Sequence, residues 1–166
     1  MDFETLKTEL QRLTFAADLP DTTLERLAEI ATLSAFSAGT HLFSEGGRND
    51  RLLLLISGSV ALDMRVPGRG SVRILTVGAG DMLAWSALFG GGEMTATATA
   101  MDDVRAVSTS GEAILALSET DHEFGYRFMR RMAEALSRRL LATRLQLLDL
   151  FADTRPDLVR PAGVRS

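Results

Sequence analysis

Cysteine is absent from the 166 residues, and histidine, lysine and tryptophan are rare. Without cysteine the chain has no disulfides, thiolate metal sites or cysteine nucleophiles, and its fold needs no oxidising compartment. The two histidines, His41 and His122, match no metal-ligand spacing, so a metal-dependent barrel is not expected. The glycine triplet Gly90–Gly92 lacks the lysine of a P-loop, and no nucleophile-elbow pattern occurs. The sequence therefore predicts neither catalytic residues nor a metal site.

Long apolar runs and a strong net charge are also missing. The longest apolar run, Leu52–Ile56, is far too short to span a bilayer, and the acidic N-terminus has no signal-peptide core. A net charge of −4 argues against a surface that coats nucleic acid. An apolar content of 46% and a charged content of 24% suit an ordinary globular protein of one domain. We expect a cytoplasmic protein that does not associate with membranes.

Two short helices are predicted before a β-rich region. The first has a leucine stripe, and the second begins after Pro20 with a capping box formed by Thr22 and Glu25. From residue 33 to 109, short apolar or alternating runs are separated by turns that contain glycine, which is typical of an all-β sandwich or barrel. Three strands can be placed: Leu52–Ile56, buried on both faces, and the hairpin of Ser59–Arg65 with Ser71–Val77.

Helix is predicted again after the β-rich region. Thr109 and Glu112 form a capping box before one helix. Thr120 and Glu123 form another before a long helix that ends near Phe151. The predicted organisation is one domain over residues 1–152, with the β-roll at about 33–109, C-terminal helices at about 110–151 and a disordered tail at 153–166.

The long helix carries two apolar stripes. The first follows a heptad spacing: Tyr126, Met129, Ala133, Leu136, Leu140, Thr143, Leu147 and Leu150. The second comprises Phe124, Phe128, Met132, Leu141, Leu145, Leu148 and Phe151. One helix cannot bury both stripes against one small barrel, so we expect one to pack on the barrel and the other on a twofold-related copy. The alternative is that both pack on the parent domain, and the choice of stripe for the dimer interface stays open.

Two motifs identify a family that this arrangement resembles. The first is LFSEG at Leu42–Gly46, followed by DRLLLLISG at Asp50–Gly58. Together with the helices and the glycine-punctuated strands, it resembles the cyclic nucleotide-binding domain of the cyclic-AMP receptor superfamily. The resemblance covers roughly Leu13 to Phe151. It implies an α+β fold, in which a jelly-roll-like β-roll is flanked by N-terminal helices and a long C-terminal dimerisation helix.

The second motif resembles the phosphate-binding cassette of that family. LAWSAL at Leu83–Leu88 is followed, after five residues, by MTATA. The family glycine falls on Ala84, the ribose-binding glutamate on Trp85 and the phosphate-binding arginine on Met94. The ligand site implied by the resemblance comprises Ala84, Trp85, Ser86, Ala87, Leu88, Met94, Thr95 and Thr97.

The two replaced side chains remove the chemistry that holds a cyclic phosphodiester. Met94 supplies neither charge nor hydrogen-bond donors, and the indole of Trp85 has one donor and no acceptor. Each lost charge-assisted hydrogen bond costs about 1.5–3 kcal/mol, or roughly ten- to a hundred-fold in affinity. An arginine from elsewhere in the chain, such as Arg73 or Arg105, would compensate if it lay nearby. Trp85 itself has three interpretations: it fills the pocket as core, stacks on a flat ligand, or contacts a partner protein.

The expected function is that of a regulatory or sensor domain without enzymatic activity. The degenerate cassette predicts weak or altered ligand binding, so a cyclic nucleotide is a doubtful ligand and no cofactor is expected. The expected partner is a second copy that contacts the heptad stripe through Met129, Ala133, Leu136, Leu140, Thr143 and Leu147. The alternative is a ligand-independent dimeric interaction or scaffold module with an unknown protein partner. Residues 153–166 are too few for a helix-turn-helix, so direct DNA binding is not expected.

Overall fold

The two N-terminal helices form because each presents one apolar face. The computed structural model describes residues 2–153. Helix α1 (Phe3–Arg12) and helix α2 (Asp21–Ile30) flank a short 3-10 turn at Thr14–Ala16. The predicted capping box of Thr22 and Glu25 is wrong, because α2 begins one residue before Thr22 and its N-cap, Pro20, has no side-chain hydrogen bond.

Glu25 has a different partner from the one that the capping box would give it. Its Oε1 lies 2.8 Å from Nζ of Lys7 and joins α2 to α1. This hydrogen bond, together with the negative charges around it, raises the pKa of Lys7 above its ordinary value.

Within residues 2–153, eight strands form two four-stranded antiparallel sheets. The strands are β1 (Ala31–Phe36), β2 (His41–Phe43), β3 (Arg51–Ser57), β4 (Val60–Val66), β5 (Gly70–Val77), β6 (Met82–Leu83), β7 (Thr97–Ala100) and β8 (Val104–Ser110). One sheet has the order β1-β8-β3-β6 and the other β2-β7-β4-β5. The β4–β5 hairpin confirms the predicted pairing, with Val60 opposite Val77 and a register shift between Leu62 and Asp63.

Strand β3 separates the two hydrophobic clusters of the domain. Leu53 and Leu55 lie in the cluster between the sheets, whereas Leu52 and Leu54 lie in the cluster that the helices cover. All four leucines are at most 5% exposed. The prediction that this strand is buried on both faces is therefore confirmed, and it places the helices on the outer side of the β1-β8-β3-β6 sheet.

Two helices follow the roll, α3 (Gly111–Thr120) and α4 (His122–Asp153). Both predicted capping boxes lie one residue too early. Ser110, not Thr109, caps α3 by accepting a hydrogen bond from the backbone N–H of Ala113. Asp121 accepts from the backbone N–H of Phe124 at the start of α4. Thr109 is completely buried in β8, where its hydroxyl donates to the carbonyl of Ile30.

The first half of α4 is anchored to the domain. Phe124, Phe128 and Met132 are each at most 1% exposed. The guanidinium of Arg131 donates to the carbonyls of Phe15 and Thr14, at 2.8 and 2.7 Å. These contacts fix α4 against both the hydrophobic cluster and the N-terminal 3-10 turn.

The second half of α4 is largely exposed, so the two stripes do not divide as expected. A helix of 32 residues is about 48 Å long, and it extends beyond the part of the domain that covers its first half. Of the residues predicted for the dimer seam, Met129 and Leu136 pack against the parent domain and Thr143 is half-buried. Apolar side chains of both stripes are exposed from residue 140 onward: Leu140, Leu141, Leu145, Leu147, Leu148, Leu150 and Phe151.

The architecture confirms the predicted fold class, an α+β fold with a jelly-roll-like β-roll, N-terminal helices and a long C-terminal helix. The predicted tail lies outside the described residues, apart from Asp153. No helix among residues 2–153 is long and apolar enough to cross a bilayer. The same residues contain no cluster of three or more histidine or acidic side chains that could hold a metal ion.

Candidate functional site

The cassette backbone begins where β6 leaves the sheet. Leu83 pairs with Leu53 in β3, and the next residue, Ala84, adopts the left-handed conformation with φ 63° and ψ 40°. A side chain at such a φ costs about 1–2 kcal/mol, which is why the related cassettes have glycine at this position. A 3-10 turn at Trp85–Ala87 follows, and the N–H of Ala87 donates to the carbonyl of Ala84. The local fold therefore persists without the glycine.

Five of the predicted site residues surround one small cavity. Ala84, Trp85, Ser86, Met94 and Thr95 line it, and its volume is about 30 Å³. This cassette cavity has room for little more than a water molecule. Phe43, Leu62, Leu83, Ala96 and Arg139 complete the lining.

The two side chains at the replaced family positions fill space rather than offer charge. Met94 is 2% exposed, and its sulfur lies 3.9 Å from Nδ2 of Asn49. Trp85 is half-buried and packs against the helix-covered hydrophobic cluster while it also lines the cassette cavity. Of the three interpretations of Trp85, this packing fits the first, in which the indole is part of the core.

Three predicted site residues lie outside the cassette cavity. The hydroxyl of Thr97 accepts a hydrogen bond from the N–H of Glu45 and lines a separate open depression. Leu88 is 7% exposed and belongs to the helix-covered cluster. Ala87 has its carbonyl against the start of α3. None of these three residues lines the cassette cavity.

Arginine reaches the cassette cavity from an unexpected element. Arg139 of α4 lines the cavity, and its guanidinium donates to the carbonyl of Met82. Burial lowers the pKa of Arg139 from its ordinary value, and the nearby charge of Asp81 partly offsets this effect. The two arginines considered from the sequence lie elsewhere, since Arg73 pairs with Asp63 and Arg105 pairs with Glu9.

The position of Arg139 had a signal in the sequence. It follows Met132 by seven residues and Leu136 by three, so it continues the buried stripe at helical spacing. A charged residue at a position that faces the domain is unusual, because burying a charge without a partner costs free energy. That pattern points to a polar partner beneath α4, and the carbonyl of Met82 is such a partner.

The cassette touches α3 directly. A Cβ built on Gly111 would lie 2.0 Å from the carbonyl oxygen of Ala87. The first residue of α3 thus has no room for any side chain. Leu88, Ile114 of α3 and Phe128 of α4 share one hydrophobic cluster. Because these side chains are close-packed, a shift of the cassette backbone would displace side chains that contact both α3 and α4.

The chain matches the family model described as the cyclic nucleotide-binding domain over residues 33–121, which is more than half of its length. It belongs to the cyclic nucleotide-binding domain family. The early motif and the cassette both lie inside the matched region, so the predicted resemblance is confirmed.

A curated relative and two solved structures are similar to this cyclic nucleotide-binding domain. The CRP-like cAMP-activated global transcriptional regulator of Mycobacterium tuberculosis is 34% identical over 125 residues, which are 75% of this chain and 54% of that protein. This chain thus spans about half the length of that relative. A cyclic nucleotide-binding domain from Methylobacillus flagellatus KT has a TM-score of 0.77 at 22% identity, covering 95% of this chain and 86% of the other. The N-terminal domain of a transcriptional regulator from Streptomyces coelicolor A3(2) has a TM-score of 0.65 at 25% identity, covering 79% and 94%.

Proposed function

We propose that this chain is a regulatory domain without enzymatic activity, and that its cassette does not bind cyclic nucleotides at micromolar concentrations. The observation that carries the proposal is the small volume of the cassette cavity, about 30 Å³, which Trp85 and Met94 help to line. Sites for small ligands usually measure roughly 300–1,000 Å³. The two positions that would bind ribose and phosphate in relatives hold side chains that cannot replace a carboxylate and a guanidinium.

The contact between the cassette and α3 supports a regulatory role. Ala87 and Gly111 touch through the backbone, and Leu88 shares a hydrophobic cluster with α4. A change at the cassette is therefore expected to alter the position of α4, and a change at α4 is expected to alter the cassette. This reciprocity holds for any partner that binds one of the two elements.

Titration calorimetry with cyclic AMP and cyclic GMP tests the proposed loss of binding. Trp85 is the only tryptophan, so its fluorescence gives a second readout at the site itself. We expect no saturation below millimolar concentrations, because two lost charge-assisted contacts weaken binding by roughly a hundred-fold or more. Saturation by either nucleotide at micromolar concentrations would refute the proposal.

A restored cassette provides the matched positive control. The double substitution Trp85→Glu with Met94→Arg returns the carboxylate and the guanidinium to the positions of the family, and Trp85→Phe with native Met94 returns neither. Nucleotide binding by the double variant alone would support the proposal. Equal failure of both variants, with both folded, would show that the cassette was not the limiting part of the site.

We also propose that the domain is a homodimer through the second half of α4. Seven apolar side chains between residues 140 and 151 are at least 50% exposed, and such a stripe on one helix suits a second helix. In this form the chain also acts as a ligand-independent interaction module, which is the second candidate function. Analytical ultracentrifugation tests this arrangement. The double variant Leu140→Glu with Leu147→Glu should sediment as a monomer, because two charges would replace apolar side chains in the interface. The control variant Leu115→Glu, on the exposed side of α3, should still sediment as a dimer. A monomeric unsubstituted chain at tens of micromolar would contradict this arrangement.

A further inference from the structure

A second cavity lies beside the cassette cavity, and Arg139 lines both of them. This second cavity, which we call the arginine cavity, measures about 200 Å³. Arg138 and Arg139 of α4 form one side of it. Thr76 of β5, Gly80 and Asp81 line the opposite side. It is therefore a gap between the long helix and the loop that leads into the cassette.

The two arginines differ from those of the preceding turns of α4 in forming no ion pair with an acid among residues 2–153, although the charge of Asp81 acts on Arg139. Arginines in the first half of the helix pair with acids of the same helix: Arg127 with Glu123, and Arg130 and Arg131 with Glu134. Among residues 2–153, neither Arg138 nor Arg139 forms an ion pair. The carboxylate of Asp81 instead accepts from the N–H of Gly78, at 3.2 Å. Two guanidinium groups and one carboxylate, that of Asp81, therefore line the arginine cavity, and positive charge is in excess there.

Most of the hydrogen-bond donors of the pair are unused within the described chain. A guanidinium has five N–H donors. Arg139 directs one to the carbonyl of Met82, and Arg138 makes no hydrogen bond to residues 2–153. Arg139 is partly buried and Arg138 is exposed. A partly buried guanidinium with free donors, beside a second one, favours a bidentate oxyanion, because charge-assisted pairs are strong and satisfy two donors at once.

The volume of the arginine cavity limits the ligand. At about 200 Å³ it lies below the roughly 300 Å³ at which pockets for drug-sized molecules begin. A phosphate group or a small phosphomonoester fits such a volume, whereas a complete nucleotide needs more room. We propose that the arginine cavity binds a small oxyanion of the phosphate class between Arg138 and Arg139. The expected effect on α4 rests on the proposed regulatory function, but the binding itself does not.

Titration calorimetry with inorganic phosphate, at an ionic strength held constant with sodium chloride, tests the site. We expect saturable binding that Arg139→Gln weakens about ten- to a hundred-fold, since one charge-assisted contact is lost. Arg138→Gln should weaken binding as well, and Arg139→Lys should retain part of it. Arg144→Gln is the matched control, because Arg144 lies on the same helix outside the cavity and should leave the affinity unchanged. Glycerol 3-phosphate that binds more tightly than phosphate would identify a phosphomonoester as the ligand, and the reverse order would identify the free ion.

Several outcomes would overturn the site. These are the absence of saturable phosphate binding, an unchanged affinity in Arg139→Gln, and an equal loss in Arg144→Gln. If thermal unfolding shows that Arg139→Gln does not fold, Arg138→Gln decides, and an unchanged affinity there refutes the proposal. Hydrogen exchange of residues 131–142 separates the site from the regulatory function. Slower exchange with phosphate supports both, whereas phosphate binding with unchanged exchange supports the site and contradicts the function.

Discussion

The contact between Gly111 and the cassette predicts that a single methyl group will disturb both the stability of the domain and the environment of Trp85. The Cβ of Gly111→Ala would lie 2.0 Å from the carbonyl oxygen of Ala87, and 2.6 Å from its carbonyl carbon. Real Cβ atoms essentially never approach closer than 3.0 Å, so one backbone segment must move by about 1 Å. The N–H of Gly111 also donates to the carbonyl of Asp50, which opposes movement of α3.

The magnitude follows from two opposing effects. Overpacking in a close-packed interior costs about 1–3 kcal/mol, and the upper half of this range applies because the clash is with backbone. Alanine in place of glycine in a helix returns at most about 1 kcal/mol. We therefore expect the free energy of unfolding to fall by about 1–3 kcal/mol. For a chain of this size, that loss lowers Tm by about 2–12 °C.

The measurement combines denaturant unfolding with the emission spectrum of Trp85, which lies two residues before Ala87. Gly78→Ala is the matched control, because its Cβ would meet no atom within 4 Å and its φ is not in the left-handed region. The control should leave stability and emission near those of the unsubstituted chain. A Gly111→Ala variant with unchanged stability and unchanged Trp85 emission would refute the argument that the cassette and α3 are in rigid contact.

Two further substitutions test how α4 is attached to the domain. Phe128→Ala should lower the free energy of unfolding by about 3–5 kcal/mol, because Phe128 is completely buried with its ring 5.4 Å from that of Phe15 and 5.6 Å from that of Phe124; a loss below about 1 kcal/mol in urea denaturation would contradict this packing. Arg131→Met should cost about 1–3 kcal/mol and speed amide exchange around Thr14, since two backbone carbonyls lose their donor. Unchanged exchange there would show that the arginine does not hold the 3-10 turn.

The sequence indicated the fold well because each signal was local. Four consecutive leucines in β3 can be buried on both faces only if other secondary-structure elements cover both sides of the sheet. The cassette motif identified the segment Leu83–Leu88, where the structure has the left-handed Ala84 and the 3-10 turn that follows it. These features depend on spacing along the chain, which is visible without coordinates.

Helix caps were predicted one residue too early for a physical reason. Thr109–Glu112 and Thr120–Glu123 have the capping-box spacing, but Ser110 and Asp121 are equally good caps in the next position. Tertiary pairing decides between them at the start of α3. Thr109 lies opposite Ala31 and Leu52 in the sheet, so it cannot be the residue that leaves the strand.

The candidate site was predicted only in part, because its decisive charge comes from a distant segment. Arg139 follows Met94 by 45 residues, and only the packing of α4 brings the two to one cavity. The spacing of Arg139 from Met132 and Leu136 is compatible with the inward face of α4, but it did not lead to a prediction, and it gives no information on which loop lies beneath that turn. The division of α4 into a packed half and an exposed half likewise depends on where the roll ends in space, which spacing alone does not encode.

The cassette backbone makes pairing and packing contacts that stabilise the domain whether or not a ligand binds. Leu83 pairs in the sheet, Leu88 fills the helix-covered cluster and Ala87 meets α3. None of these contacts involves the positions of the ribose and phosphate contacts in relatives. Replacing those two residues therefore changes the chemistry of the cavity while it leaves the connection to the C-terminal helices intact. Since Arg139 lines the cavity from α4 itself, an anion bound beside it would contact the long helix directly.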